Sequence, residues 1–311
     1  MRIARTGEGG REKDLAADLV VDSSGRGSRT PQWLRAFGYP EPEETTIRVD
    51  IGYATALMRP PEGLRRDWKA LFVYMRPPQT RLGVLLPVEN GMWLVTLVGW
   101  FGDHPPADPA GFVEWTRGMP TMEFYETIRR AEIRSPIAIH KFPSNRRRRY
   151  ERMARFPDGI VVIGDALCSF NPIYGQGMST ASLGAATLDR CLRGQTKLIG
   201  SQGFSARFQK RVAKVIDAPW MTVLGEDFRY QQAEGNRPLW AKPMGWYTAR
   251  VYRLARTDEQ VSRRFLQVMH LMAKPTILFE PYVLRRVLLL GRESRSLKSP
   301  APTAEAAQPT G

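Results

Sequence analysis

One segment of this 311-residue chain has residue types and spacing suited to chemistry: Gly164-Asp165-Ala166-Leu167-Cys168-Ser169-Phe170-Asn171-Pro172-Ile173-Tyr174-Gly175-Gln176-Gly177-Met178-Ser179. It follows an unbroken apolar run at 159–163, so it reads as buried strand, acid, rigid loop, Gly-x-Gly and helix. An aspartate at the end of a strand can accept hydrogen bonds from the hydroxyls of a sugar-like chain. Pro172 fixes the loop after Asn171, and Gly175 and Gly177 let the backbone approach a flat ring closely. The small-residue-rich stretch from about Met178 to Leu192 is expected to be a helix whose first N–H groups and positive dipole end face the same place. Gly164, Asp165, Asn171, Pro172, Gly175, Gln176, Gly177 and Met178 are therefore candidate binding residues for a planar ligand that carries negative charge.

A second glycine loop competes with the first. Gly25-Arg26-Gly27-Ser28-Arg29-Thr30 follows the apolar run Leu19-Val20-Val21, and Asp50 lies 25 residues after Gly25. As a dinucleotide fingerprint it fails, because the third glycine is missing. The helix opened by Pro31 is also stopped by Gly38 and Pro40 after about two turns, too short for a crossover.

The elements that must position these loops fall into blocks. Strands are expected at 2–5 and 15–22, joined by a turn with Gly7, Gly9 and Gly10. Alternation of Val49, Ile51, Tyr53, Thr55 and Leu57 marks a half-buried strand over 46–59. Further strands are expected at 70–76, 82–88, 92–100 and 133–142, with helical stretches at 109–117 and 121–131. The apolar stretch 83–102 is about as long as a membrane span. Glu89-Asn90-Gly91 at its middle instead predicts a hairpin turn. Helices are expected at 203–217 and 246–292, the latter broken near Pro275 and Pro281, and 293–311 reads as a disordered tail. The fold class is thus α/β (α+β): partial nucleotide-binding parts at 1–45 and 143–200, an inserted antiparallel sheet at 46–142 and a C-terminal helical region at 201–292.

Composition narrows the function classes. With 42% hydrophobic residues and 8 Trp, 10 Tyr and 13 Phe, the chain can fill a core, which excludes wholesale disorder. Two cysteines and three scattered histidines make neither a disulfide framework nor a metal site, so no metal is expected. Cys168 reads as an inert buried thiol, and neither His140 nor His270 is nominated as a catalyst. The polar N-terminal stretch lacks the apolar core of a secretory signal, which makes the cytoplasm the expected compartment.

The formal charge is +15, and residues 129–155 hold ten basic and two acidic residues, including Arg146-Arg147-Arg148-Arg149. The first expectation for this run is a solvated surface. Nucleic-acid binding is not expected, since the window has no interleaved aromatics and no recognised motif. Attraction of a phosphate-bearing cofactor or an anionic membrane is the specific alternative. The stretch Val283-Leu284 to Leu290 beside Arg285 and Arg286 is a candidate for peripheral membrane contact.

The 164–178 segment resembles the second flavin-binding motif of the class A flavoprotein monooxygenases, the p-hydroxybenzoate hydroxylase fold. Their motif runs GD, a few residues, P, then GQG. The form CSFNPIYGQGM is most similar to the epoxidase and hydroxylase branch, and ADLVVDSSGRGSRTP resembles the family's middle motif. The resemblance implies FAD as cofactor, NAD(P)H as reductant and a small hydrophobic substrate. It implies that Asp165 binds the ribityl chain, that Pro172 and Gly175-Gln176-Gly177 line the isoalloxazine, and that the sheet around 46–142 forms the substrate pocket. Ser24-Gly25 stands where the middle motif usually has Asp-Gly, and both residues join the candidate cofactor set. The family's N-terminal GxGxxG unit has no counterpart in this sequence. Two expectations follow: an FAD-dependent hydroxylase or epoxidase, for which no acid, base or nucleophile is nominated, or a truncated member that binds no FAD alone and acts as an interaction or lipid-binding module.

Overall fold

The computed structural model describes residues 2–4, 12–64, 68–193 and 202–293; the expected turn at 7–10 and residues 294–311 of the expected tail lie outside them. The chain divides into two compact units, Met1–Lys242 and Pro243–Gly311.

The first unit is mixed α/β. Strands β1 (Arg2–Ala4) and β2 (Glu12–Asp14) pair antiparallel. The strand expected at 15–22 is shorter: β3 is Val20–Asp22, and it pairs in parallel with β10 (Ile160–Val162). Helix α1 (Thr30–Ala36) has Pro31 in its first turn and ends before Gly38, whose φ of +77° closes it. The seven-residue α1 leads from β3 into β4, a strand of another sheet, so it makes no crossover, which removes the dinucleotide reading of the Gly25 loop.

The 16-residue strand β4 (Glu44–Arg59) is the spine of a seven-stranded sheet. Its long path in the sheet is β11 (Cys168–Ser169), β9 (Ala138–Arg148), β4, β7 (Trp93–Gly99), β6 (Arg81–Pro87) and β5 (Leu71–Val73). The two-residue β8 (Glu132–Ile133) pairs with the end of β4. All these pairings are antiparallel. The hairpin expected at 89–91 joins β6 to β7, with Asn90 and Gly91 at φ of +60° and +68°. Side chains of Ala54, Ala56, Met58, Leu85, Val95 and Leu97 on one face pack with Phe112 of α2 (Pro109–Trp115) and Phe124 of α3 (Glu123–Ile128).

Helices α4 (Gly177–Arg193) and α5 (Phe204–Asp227) complete the unit, packing in its main core with Val161 and Val162 of β10 and with Leu19 just before β3. The sequence places the end of α5 at 217, before Pro219. The helix instead continues through Pro219 to Asp227, because Trp220, Val223 and Leu224 are buried and their packing outweighs the missing hydrogen bond.

The second unit holds most of α6 (Ala241–Leu254), α7 (Glu259–Met269) and α8 (Pro281–Glu293). Breaks fall near Pro275 and Pro281, as proline requires, and also at 255–258, unlike the expectation, where Asp258 caps α7 by accepting from the Val261 amide. Of the apolar run proposed to meet a membrane, Val283 and Val287 are fully buried in this unit's core, whereas Leu288 is exposed. No helix among the described residues is long and apolar enough to cross a membrane.

Candidate functional site

The parallel pairing of β3 with β10 sets their two following loops side by side. Ligands in such sheets sit beyond the carboxyl ends of the strands. Both candidate loops are there. The Ile163 amide donates to Asp22 O at 3.0 Å, which registers the Ser24-Gly25 loop against Gly164 and Asp165.

Asp22 ends β3 and organises the first loop. Its carboxylate accepts from the Ser24 amide at 2.9 Å, the Ser24 hydroxyl at 2.6 Å, and the hydroxyls of Ser28 and Thr30. Burial works against its charge, but these hydrogen bonds win and hold the carboxyl below its usual range. Stability from this group is therefore present above the ordinary carboxylate pKa and lost as pH falls through the lower, folded value. Asp22→Asn is expected to lower unfolding stability by about 1–3 kcal/mol near neutral pH. Urea titrations at two pH values check this, because the deficit should shrink in acid. Ser24 and Gly25 thus serve first as parts of this Asp22-centred turn, with Gly25 at φ +80°.

The basic run departs from its expected solvated state. It forms the end of β9, where Arg147 and Arg148 are buried and paired. Arg148 bonds Glu44 of β4 at 3.0 Å and the Ala166 carbonyl at 3.0 Å; Arg147 bridges Glu151 at 3.0 Å and Asp217 of α5 at 2.8 Å. β11 pairs with the same residues, Cys168 opposite Arg147 and Ser169 opposite Arg146. Arg26 reaches across from the first loop to Ser144 O at 2.6 Å and Ser169 Oγ at 3.1 Å. The arginines thus fasten the 164–169 loop to the sheet, a task invisible in a bare run of charge. Cys168 is fully enclosed there, and burial pushes its thiol far above the usual range, so it is no nucleophile.

Asp165 is exposed at the mouth. Desolvation by the surrounding loops raises its pKa, opposed by a Ser169 hydrogen bond and the charge of Arg26. Pro172 and Gly175 are also exposed, whereas Asn171 and Gln176 are buried as supports of the turn. Gly175 adopts φ +64°, which lets the turn reverse into α4. A side chain built on Gly175 or Gly177 would meet nothing within 4 Å, so open space lies along this rim. Met178 is 87% exposed. The first amides of α4 have no partners within the helix and carry its positive end. An exposed acceptor, an open Gly-Gln-Gly edge and free helix amides fit the ribityl chain and ring edge of a flavin.

Residues the sequence reading did not single out support the turn from below. The buried Tyr53 of β4 donates to Asn171 Oδ1, and burial raises its pKa, so the phenol stays protonated. Asn145 of β9 and Asp227 of α5 complete the set.

No family model matches the chain. It is 32% identical over 283 residues to protein Rv3254 of Mycobacterium tuberculosis, an alignment covering 91% of this chain and 58% of that protein. The chain therefore spans a little over half the length of this curated relative. Among solved structures, the flavin-dependent brominase Bmp2 superposes with a TM-score of 0.57 at 15% identity, covering 93% of this chain and 66% of its own. The chain has the fold of the flavin-dependent halogenases. The myxobacterial chondrochloren halogenase CndH, described as a variant of FAD-dependent halogenases, gives 0.52 at 16% identity over 97% of this chain and 66% of its own. A flavoprotein/dehydrogenase from Cytophaga hutchinsonii gives 0.50 at 15% identity, covering 93% and 64%.

Proposed function

We propose that this chain carries the flavin-facing and substrate-facing parts of an FAD-dependent monooxygenase, a hydroxylase or epoxidase, acting on a hydrophobic substrate. One observation carries the reading: the exposed Asp165 and Gly175 flank a turn at the start of α4 whose Asn171 accepts from Tyr53 of the sheet. Asp165 would hold the ribityl hydroxyls, and the first amides of α4 would steady negative charge on the ring edge. When bound, the flavin supplies the redox and oxygen chemistry, with NAD(P)H as the electron donor.

The sheet supplies the substrate side. Cross-strand register aligns Tyr53, Val98 and Leu82 in the row beside the rim. The next row holds Thr55, Thr96, Val84 and Phe72, and the one after it Leu57, Leu94 and Leu86. Successive rows lie about 7 Å apart. Phe72 and Leu57 are exposed, and Thr55 satisfies its hydroxyl against Thr96 at 2.9 Å, so this face offers apolar contact, with the exposed His140 opposite Tyr53 as a polar group on it. A separate cleft of about 600 Å³ is bounded by Pro77, Pro78 and Arg229 to Gln232.

The same exposed apolar face favours the second reading, an interaction or lipid-binding module without flavin. NAD(P)H oxidation with oxygen uptake by the FAD-loaded protein separates the two. The enzyme reading expects both, rising when an apolar substrate is added. Asp165→Ala is expected to weaken FAD binding about 10- to 100-fold, the range for losing hydrogen bonds to a charged acceptor. Flavin fluorescence titration of the two proteins measures it; equal affinities would contradict the role of Asp165.

A further inference from the structure

Asp227, the last residue of α5, is 2% exposed and has no ion-pair partner among the described residues. A buried, unpaired carboxylate is costly to keep. Each of its oxygens nevertheless accepts a hydrogen bond: Oδ2 from Asn145 Nδ2 at 2.5 Å and Oδ1 from the Tyr174 hydroxyl. When the carboxyl is ionised it only accepts, and Asn145 then turns its NH2 toward Asp227 and its oxygen away. That oxygen takes the backbone N–H of Asn171 at 2.6 Å. Asn171 Oδ1 in turn accepts from the Ile173 amide at 3.2 Å and from the Tyr53 hydroxyl. Every donor in this chain of bonds points the same way, from Tyr53 and Tyr174 toward the acid.

We propose that Asp227 is a positioning residue for the candidate flavin rim: its carboxylate sets the orientation of the Asn145 amide and, through Asn145 and Tyr174, fixes both ends of the 171–174 turn. Asn171 directly precedes Pro172, and Tyr174 directly precedes Gly175. One carboxylate thus clamps the rim where it leaves the sheet and where it enters the Gly-Gln-Gly edge. Packing alone would be served by a neutral residue. Burial pushes this carboxyl up to about 7, against the opposing bonds from Tyr174 and Asn145, so the ionised, accepting form prevails above that pH. What the rim binds rests on the flavin reading; how the rim is ordered does not.

The test compares the full chain with Asp227→Asn and with the swap Asp227→Asn/Asn145→Asp, at pH 8, where the carboxylate is ionised. In the single variant the amide at 227 can accept from only one of its two partners: with its oxygen on Asn145, its NH2 displaces the proton that Tyr174 donates, and with its oxygen on Tyr174, its NH2 faces that of Asn145. In the swap, the carboxylate at 145 accepts from the new amide at 227 and from Asn171, and the amide oxygen at 227 still accepts from Tyr174. Every bond is restored with the charge moved by one residue. Hydrogen exchange of the 171–177 backbone amides is expected to be about tenfold or more faster in the single variant and restored in the swap. Unchanged exchange in Asp227→Asn, or failure of the swap to restore it, overturns the proposal. If the single variant does not fold, the swap decides alone: folded with wild-type exchange supports it, unfolded overturns it. FAD titration of the same proteins is the second readout. Wild-type protein that binds no FAD defeats the flavin reading, while the exchange result still judges the positioning role.

Discussion

Gly177→Val protein is expected to unfold at the same urea concentration as wild type and to bind FAD at least about a hundredfold more weakly, a loss of about 2.7 kcal/mol. Gly177 is the first residue of α4, its φ lies outside the positive region, and an added Cβ meets no atom within 4 Å. The fold therefore has no reason to resist the change, and valine is no worse a helix residue than glycine. The valine methyls would stand in the open space before the α4 amides, where a flat ring needs contact at about 3.5–4 Å. Gly175 could not separate the two effects, since its φ of +64° imposes strain on any side chain whether or not flavin binds. Unchanged affinity in Gly177→Val would place any flavin away from the Gly-Gln-Gly edge.

Arg147→Met is expected to cost about 3 kcal/mol of folding stability, the scale for breaking a buried ion pair on one side. Arg147 is 2% exposed and bridges Glu151 and Asp217. Glu151 is 14% exposed and would keep only Arg149, at 3.5 Å. Asp217 is more open to water, so most of the loss should trace to Glu151. Adding Glu151→Leu should recover a large part of it, because the stranded carboxylate is then gone. Chemical denaturation of both variants measures this, and a loss below about 1 kcal/mol in Arg147→Met would return the arginine run to the role of surface charge.

What could be read from the sequence was what depends on neighbours in the chain. The 164–178 loop is legible because its acid, proline and glycines are close in sequence and their backbone demands are local. The hairpin at 89–91 and the alternation along β4 are legible for the same reason. Long-range partners decide the rest. Nothing near Arg146 to Arg149 indicates that Glu44 and Asp217 will neutralise it, or that β9 continues through it to residue 148. Similarly, β3 and β10 read as apolar strands, but their parallel contact joins residues 140 apart. Pro219 masked the last turns of α5, where packing overrules propensity. Asp227 did leave a signal. Trp220, Val223, Leu224 and Asp227 follow the i, i+3, i+4, i+7 spacing of one helix face, so an acid stands in a buried stripe. Asn145 left none, being one polar residue in a strand whose partners come from other elements.

The most direct measurement of flavin binding at this rim is a fluorescence titration of FAD with the purified wild-type chain, read beside its visible absorption spectrum. Saturable, stoichiometric quenching with a perturbed yellow spectrum, absent in Gly177→Val, is the expected result. Flavin that stays fully fluorescent at saturating protein, with a colourless purified chain, would contradict it.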